Sequence, residues 1–153
     1  MTSSIEEFWE ACRHERPAET AGRSYRVKRF GNDPAMSRLL LDLIRSGKKT
    51  GTFGLEWEFE ARPDERPEAG DLYVVTDSDG EPGALIRVTG TEVVPFSAIG
   101  AEHLQHEGPA LREPAAWRKV HWAFWMPALQ AMGREPSDDM PILIQRFEVL
   151  KAC

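Results

Sequence analysis

Between residues 33 and 60 the apolar repeat changes from helical to extended at a single glycine turn, and this switch limits what the chain can fold into. Asp33-Pro34 supplies a capping carboxylate followed by proline at the first helical position. Met36, Leu39, Leu40, Leu43 and Ile44 then form one apolar stripe, and Gly47 is the natural stop. Beyond it, Phe53, Leu55, Trp57 and Phe59 alternate with Thr52, Gly54, Glu56, Glu58 and Glu60, the pattern of a half-buried strand with an acidic outer face. Thr52 is therefore expected to point away from the aromatic face. The junction itself, Gly47-Lys48-Lys49-Thr50-Gly51-Thr52, presents two lysines and two threonines between the helix and the strand.

The same reading along the chain gives a mixed fold. Ile5, Phe8, Trp9 and Cys12 recur at helical spacing after Ser3 and Ser4, predicting a first helix that lies as a lid on the rest. Arg16 to Gly22 reads as a loop and Tyr25 to Phe30 as extended. Arg62 to Gly70 is a charged, proline-containing loop. Leu72 to Thr76 is a buried strand, Asp77-Ser78-Asp79-Gly80 a hairpin turn, and Ala84 to Thr89 the returning strand, with Thr91 to Val94 continuing the sheet. Ser97 to His106 is predicted as a short helix. Pro114 opens another, with Trp117, Val120, Phe124 and Ala128 on one face and Pro127 expected to kink or split it. Pro141 to Leu150 closes the chain as a strand. The order of elements predicts an α+β fold, a small β-barrel with helices at its flanks.

Composition narrows the function. The 153 residues fit one domain with a single core. A net charge of -6 argues against a broad basic surface for duplex DNA, while leaving room for a nucleoside in a local pocket. Cys12 and Cys153 lack metal-ligand spacing, which suits a reducing compartment. No apolar run approaches roughly 18 residues, so no membrane span is expected. An N-terminus carrying Glu6, Glu7 and Glu10 reads as neither a secretory signal nor a transit peptide. The expectation is a soluble cytoplasmic protein.

Few residues carry a chemical signal, and each has a plain structural reading beside it. Lys49, partly desolvated, can take a proton from the Thr52 hydroxyl, or Lys48 and Lys49 can clamp a phosphate. Two lysines after a helix also simply complement its dipole. Glu107 can orient Lys49 or relay a proton, or it is a solvated residue at a helix end. His103 and His106 stand one turn apart, but a third ligand at zinc spacing is missing. In Trp117-Arg118-Lys119-Val120-His121-Trp122, the cations can meet phosphate or a base edge and Trp122 can stack on a base. Trp117 reads as core. Asp77, Asp79 and Gly80 fit a hairpin better than a calcium loop.

Four segments in order resemble the ASCH domain family, a relative of the PUA domains, over about Arg26 to Leu150. They are Phe30-Gly31-Asn32-Asp33-Pro34 with the Gly47-Lys48-Lys49-Thr50 turn, then Trp57-Glu58 with Gly70-Asp71, then Ile86-Arg87-Val88-Thr89 with Val93-Val94-Pro95-Phe96. The fourth is Trp117 to Phe124 with Asp138-Asp139-Met140-Pro141 and Arg146-Phe147-Glu148-Val149. The resemblance implies a PUA-like barrel over residues 25–153, preceded by a helix and linker over 1–24. It implies a modified nucleoside or single-stranded RNA as ligand. A shorter member of the family is an amidohydrolase that deacetylates N4-acetylcytidine, and its catalytic lysine, threonine and glutamate fall on Lys49, Thr52 and Glu107. By the same resemblance Lys48, Trp57, Arg118, His121 and Trp122 line the pocket, and the mechanism needs no metal or other cofactor. A longer member is a ribonuclease, so ribonuclease and non-catalytic RNA-binding or nucleoside-sensing roles stand as alternatives. Pro109-Ala110-Leu111 and Pro127 depart from the family pattern near the cleft.

Overall fold

The computed structural model describes residues 3–152. Five strands form one curled sheet, a half-barrel, in the order β1-β3-β4-β5-β2. They are β1 (Arg26–Arg29), β2 (Gly51–Leu55), β3 (Leu72–Thr76), β4 (Pro82–Pro95) and β5 (Pro141–Ala152). The pair β1–β3 is parallel and the other three are antiparallel. The helices are α1 (Ser4–Glu15), α2 (Pro17–Thr20), α3 (Pro34–Arg45), α4 (Ala101–Leu104) and α5 (Pro114–Ala131). The fold is α+β, as the order of periodicities predicts.

Three of the helices, α1, α3 and α5, pack on different parts of the sheet. The Ser3 hydroxyl caps α1, which buries Phe8, Trp9 and Cys12 against Leu72, Val74, Leu85 and Leu150. Helix α3, capped by Asp33, buries Leu41 and Ile44 against Phe30, Tyr73, Val75, Ile86 and Phe147. Helix α5 buries Trp117, Trp125 and Leu129 against Phe53, Leu55, Ile142 and Ile144.

Several expected elements are redrawn. Strand β2 stops at Leu55, and residues 56–59 form a 3₁₀ turn instead of continuing to Glu60. The register explains it: Leu55 faces Ile142, so the next pair would meet Pro141, the first residue of β5 and one with no amide to give. The loop expected over 16–22 contains α2. The two strands expected over 84–94 are one long β4, bulged near Gly90. The helix expected over 97–106 divides into a 3₁₀ turn at Phe96–Ala98 and the four-residue α4, leaving His106 and Glu107 beyond it.

The expected helix faces also turn. On α3 the buried positions are Ser37, Leu41 and Ile44, while Met36 and Leu39 are exposed. On α5 Trp117 is buried as expected, but Val120 and Phe124 are exposed and Trp125 and Leu129 take the inner face. Helix α5 runs through Pro127 without splitting. Of the two cysteines, Cys12 is buried on α1 and Cys153 lies outside the described residues.

Candidate active site

Two loops are stitched together to make the site. After α3, the Leu43 carbonyl accepts from the amides of Lys48 (2.9 Å) and Lys49 (3.0 Å), with Gly47 at φ +78° turning the chain. The His106 carbonyl then accepts from Thr50 N (2.8 Å) and Gly51 N (3.1 Å), and Thr50 Oγ1 lies 2.9 Å from His106 Nδ1. A side chain on Gly51 would put its Cβ 2.8 Å from the Gln145 carbonyl and 2.8 Å from His106 Cβ, so only glycine allows this approach. Arg112 adds a clip across both loops, donating to the carbonyls of Glu107 (2.8 Å) and Lys48 (2.9 Å).

The stitching brings together two charges 58 positions apart. Lys49 Nζ donates to Glu107 Oε1 at 2.6 Å, and each side chain is only 4% exposed. The other carboxylate oxygen, Oε2, lies 3.8 Å from His121 Nε2 on α5. The His121 ring stacks on Trp117 with centroids 4.3 Å apart. Its Nδ1 is 3.0 Å from the Trp117 carbonyl, which can only accept, so Nδ1 carries a proton and Nε2 of the neutral ring presents its lone pair toward Glu107.

Burial sets the proton affinities. Desolvation pulls the Lys49 ammonium below its ordinary range, with the Glu107 charge and hydrogen bond opposing. Desolvation likewise lowers His121, opposed by its bond to the Trp117 carbonyl and by the Glu107 charge. A second lysine shares this field. Lys28 on β1 stands over the rings of Phe30 and Tyr73, 5.1 Å and 5.9 Å from their centroids. Burial, then the charge of Lys49, lowers Lys28 to about 8, against the attraction of Glu58. A buried ion pair rarely stabilises more than apolar residues of the same volume would. Lys49, Glu107 and His121 thus stand as a buried lysine, a buried carboxylate and an imidazole within 4 Å of one another through Glu107.

The remaining expected residues fall in different places. Thr52 lies on β2 directly opposite Gln145, on the face away from Phe53, as alternation predicts. The Lys48 side chain is exposed. Arg118 donates to the Ile99 carbonyl at 2.8 Å, bracing the segment before α4. Trp122 packs on Phe96 with centroids 5.4 Å apart. The Trp57 ring lies under the Arg134 guanidinium at 4.2 Å, beside a hollow of about 500 Å³ between residues 57–62 and the end of α5. Lys49, Glu107 and His121 do not line that hollow. His103 Nδ1 accepts from Gly100 N at 2.9 Å, so the two histidines hold backbone and a hydroxyl. Among the described residues no three His, Cys, Asp or Glu side chains are grouped to hold a metal ion.

Arg112, Thr50 and Lys28 are participants that the sequence did not announce. Arg112 stands in the stretch that departs from the family pattern, and its contacts are to carbonyls, which no side-chain motif encodes. Lys28 sits on a strand beside other basic residues and is distinguished only by what surrounds it.

The half-barrel sheet with helices closing its flanks is an α+β fold shared with a solved ASCH domain. This chain is itself an ASCH domain: the model of that family matches residues 26–151, and the chain belongs to the family. Two solved structures share the fold closely. The ASCH domain from Lactobacillus crispatus JV V101 is 24% identical with a TM-score of 0.88, over 98% of this chain and 96% of that one. Protein EF3133 from Enterococcus faecalis V583 is 27% identical with a TM-score of 0.85, over 97% and 89%. No curated protein matches the chain.

Proposed function

We propose that this ASCH domain is an amidohydrolase that removes the acyl group from N4-acetylcytidine or a closely similar acylated nucleoside. The observation that supports it most is the 2.6 Å contact between Lys49 and Glu107, both buried and with His121 alongside. In this reading neutral Lys49 takes the proton of the Thr52 hydroxyl as that oxygen attacks the amide carbonyl. The carbon–nitrogen bond then breaks, and the Lys49 ammonium returns the proton to the leaving exocyclic amine. Water attacks the resulting threonyl ester, giving its proton to Lys49, which passes it back to Thr52 as the carboxylic acid leaves. Glu107 holds the amine in place throughout and stabilises its charged form, and His121 flanks the carboxylate.

Desolvation gives the lysine its use as a base. An ordinary lysine is almost fully protonated at neutral pH, and lowering its proton affinity enlarges the neutral fraction. A small uncharged substrate also suits a chain whose net charge is -6 and whose Arg112 and Arg118 are engaged with backbone carbonyls.

The test is incubation of the purified protein with N4-acetylcytidine beside Lys49→Ala and Thr52→Val, reading cytidine by chromatography. The expected result is release by the wild type that both substitutions abolish, with circular dichroism confirming that each variant is folded. Intact substrate with the wild type overturns the reading. Cleavage of a short RNA by the same protein would point to a ribonuclease instead, and RNA binding without cleavage to a binding module.

A further inference from the structure

Phe124 occupies an unusual position for an aromatic residue of this chain. Phe53, Phe96, Trp117 and Trp125 around it are at most 8% exposed, whereas Phe124 is 47% exposed. It lies on α5 one turn beyond His121, and its ring centroid is 6.2 Å from the imidazole at an interplanar angle of 58°. His121 in turn is 3.8 Å from Glu107, which holds Lys49. One turn back along the same helix, Val120 is 47% exposed as well. A solvent-facing ring therefore abuts the innermost charged cluster, with only the imidazole between them.

We propose that Phe124 is the platform on which the substrate's base stacks, so that the ligand of this site is a planar, uncharged nucleobase derivative. The inference rests on the proposed nucleoside-hydrolase reading and adds the surface that recognises the base. Exposure of one apolar side chain is ordinary in itself. Contact with His121 makes this one different. Trp122, the residue whose type best suits stacking, is half-buried and already occupied by packing on Phe96 at the edge of the core. A base lying on Phe124 would sit beside His121, whose Nε2 is 3.8 Å from Glu107. Phenyl-on-base stacking needs no charge, which agrees with the engagement of the nearby Arg118 guanidinium by a backbone carbonyl.

The experiment measures cytidine binding by isothermal titration calorimetry to the wild type, Phe124→Ala and Phe124→Trp, with sedimentation velocity on each. Loss of one stacking contact weakens binding about tenfold or more in Phe124→Ala. Phe124→Trp restores or tightens it, and all three proteins sediment alike. Equal affinity in Phe124→Ala overturns the proposal. So does a wild type that binds no cytidine, or a change of oligomeric state in Phe124→Ala, which would make the Val120–Phe124 surface a contact between copies. Turnover is followed separately. Binding that depends on Phe124 without deacylation keeps the platform and refutes the hydrolase, while deacylation with Phe124→Ala unchanged in KM does the reverse.

Discussion

A lysine held out of water 2.6 Å from a glutamate has its titration set by burial and by that charge, and this gives the residue scale a sharp prediction. If Lys49 is the base, kcat/KM for deacylation rises with pH as the amine loses its proton. The rise is centred below 10.5 because desolvation outweighs the pull of Glu107. Glu107→Gln keeps the shape and removes the charge that favours the ammonium. The rising limb should therefore move to still lower pH while the maximal rate falls, because the amine loses its charged anchor. A limb that stays in place would separate the titrating group from the Lys49–Glu107 pair. The lysine could be singled out in the sequence because its turn is punctuated by glycine. Its partner Glu107 could be offered from the sequence as a candidate, but nothing local distinguishes it from a solvated carboxylate at a helix end.

Among the elements, the junction of α3 with β2 carries the site, and its demands are steric. Gly51→Ala brings a methyl group to 2.8 Å from both a backbone carbonyl and the His106 side chain, so one of the two loops must shift. Overpacking of this kind costs about 1–3 kcal/mol, and here the shift also separates Lys49 from Glu107. Gly54→Ala, three residues along the same strand, meets nothing within 4 Å and serves as the control. Urea denaturation should show a large drop in midpoint for the first and little change for the second, with activity following the same order. The elements themselves were readable wherever one periodicity dominated, as in α1, β3 and β5. They were misread where the pattern was degenerate. Helix α3 has apolar residues on most of its circumference, so Met36 and Leu39 were as eligible for burial as Leu41. The strand after Gly51 kept its alternation through Phe59, but hydrogen bonding ended with its partner at Pro141.

For the whole molecule the governing quantity is charge. A protein of net charge -6 that binds a neutral nucleoside releases few counterions. Cytidine affinity should therefore change less than about twofold between 50 and 200 mM salt, whereas a protein gripping 6–10 phosphates loses roughly 10³–10⁵ over that range. Calorimetry at the two salt concentrations distinguishes the cases, and a steep loss would favour the RNA-gripping alternative. No helix among the described residues is long and apolar enough to cross a membrane.

By itself the sequence determined the α+β class, the order of most helices and strands, the family, and the lysine turn. These follow from local periodicity, capping residues and ordered motifs, all of which act over a few residues. Tertiary structure decided that Glu107 reaches Lys49, that Arg112 clips their loops, that Trp122 packs on Phe96 while Phe124 stays exposed, and that Lys28 joins the same field. Each of these depends on which face of an element meets which neighbour. That choice is fixed by strand register and by competition among apolar residues for a limited buried area, and neither is encoded within any one segment.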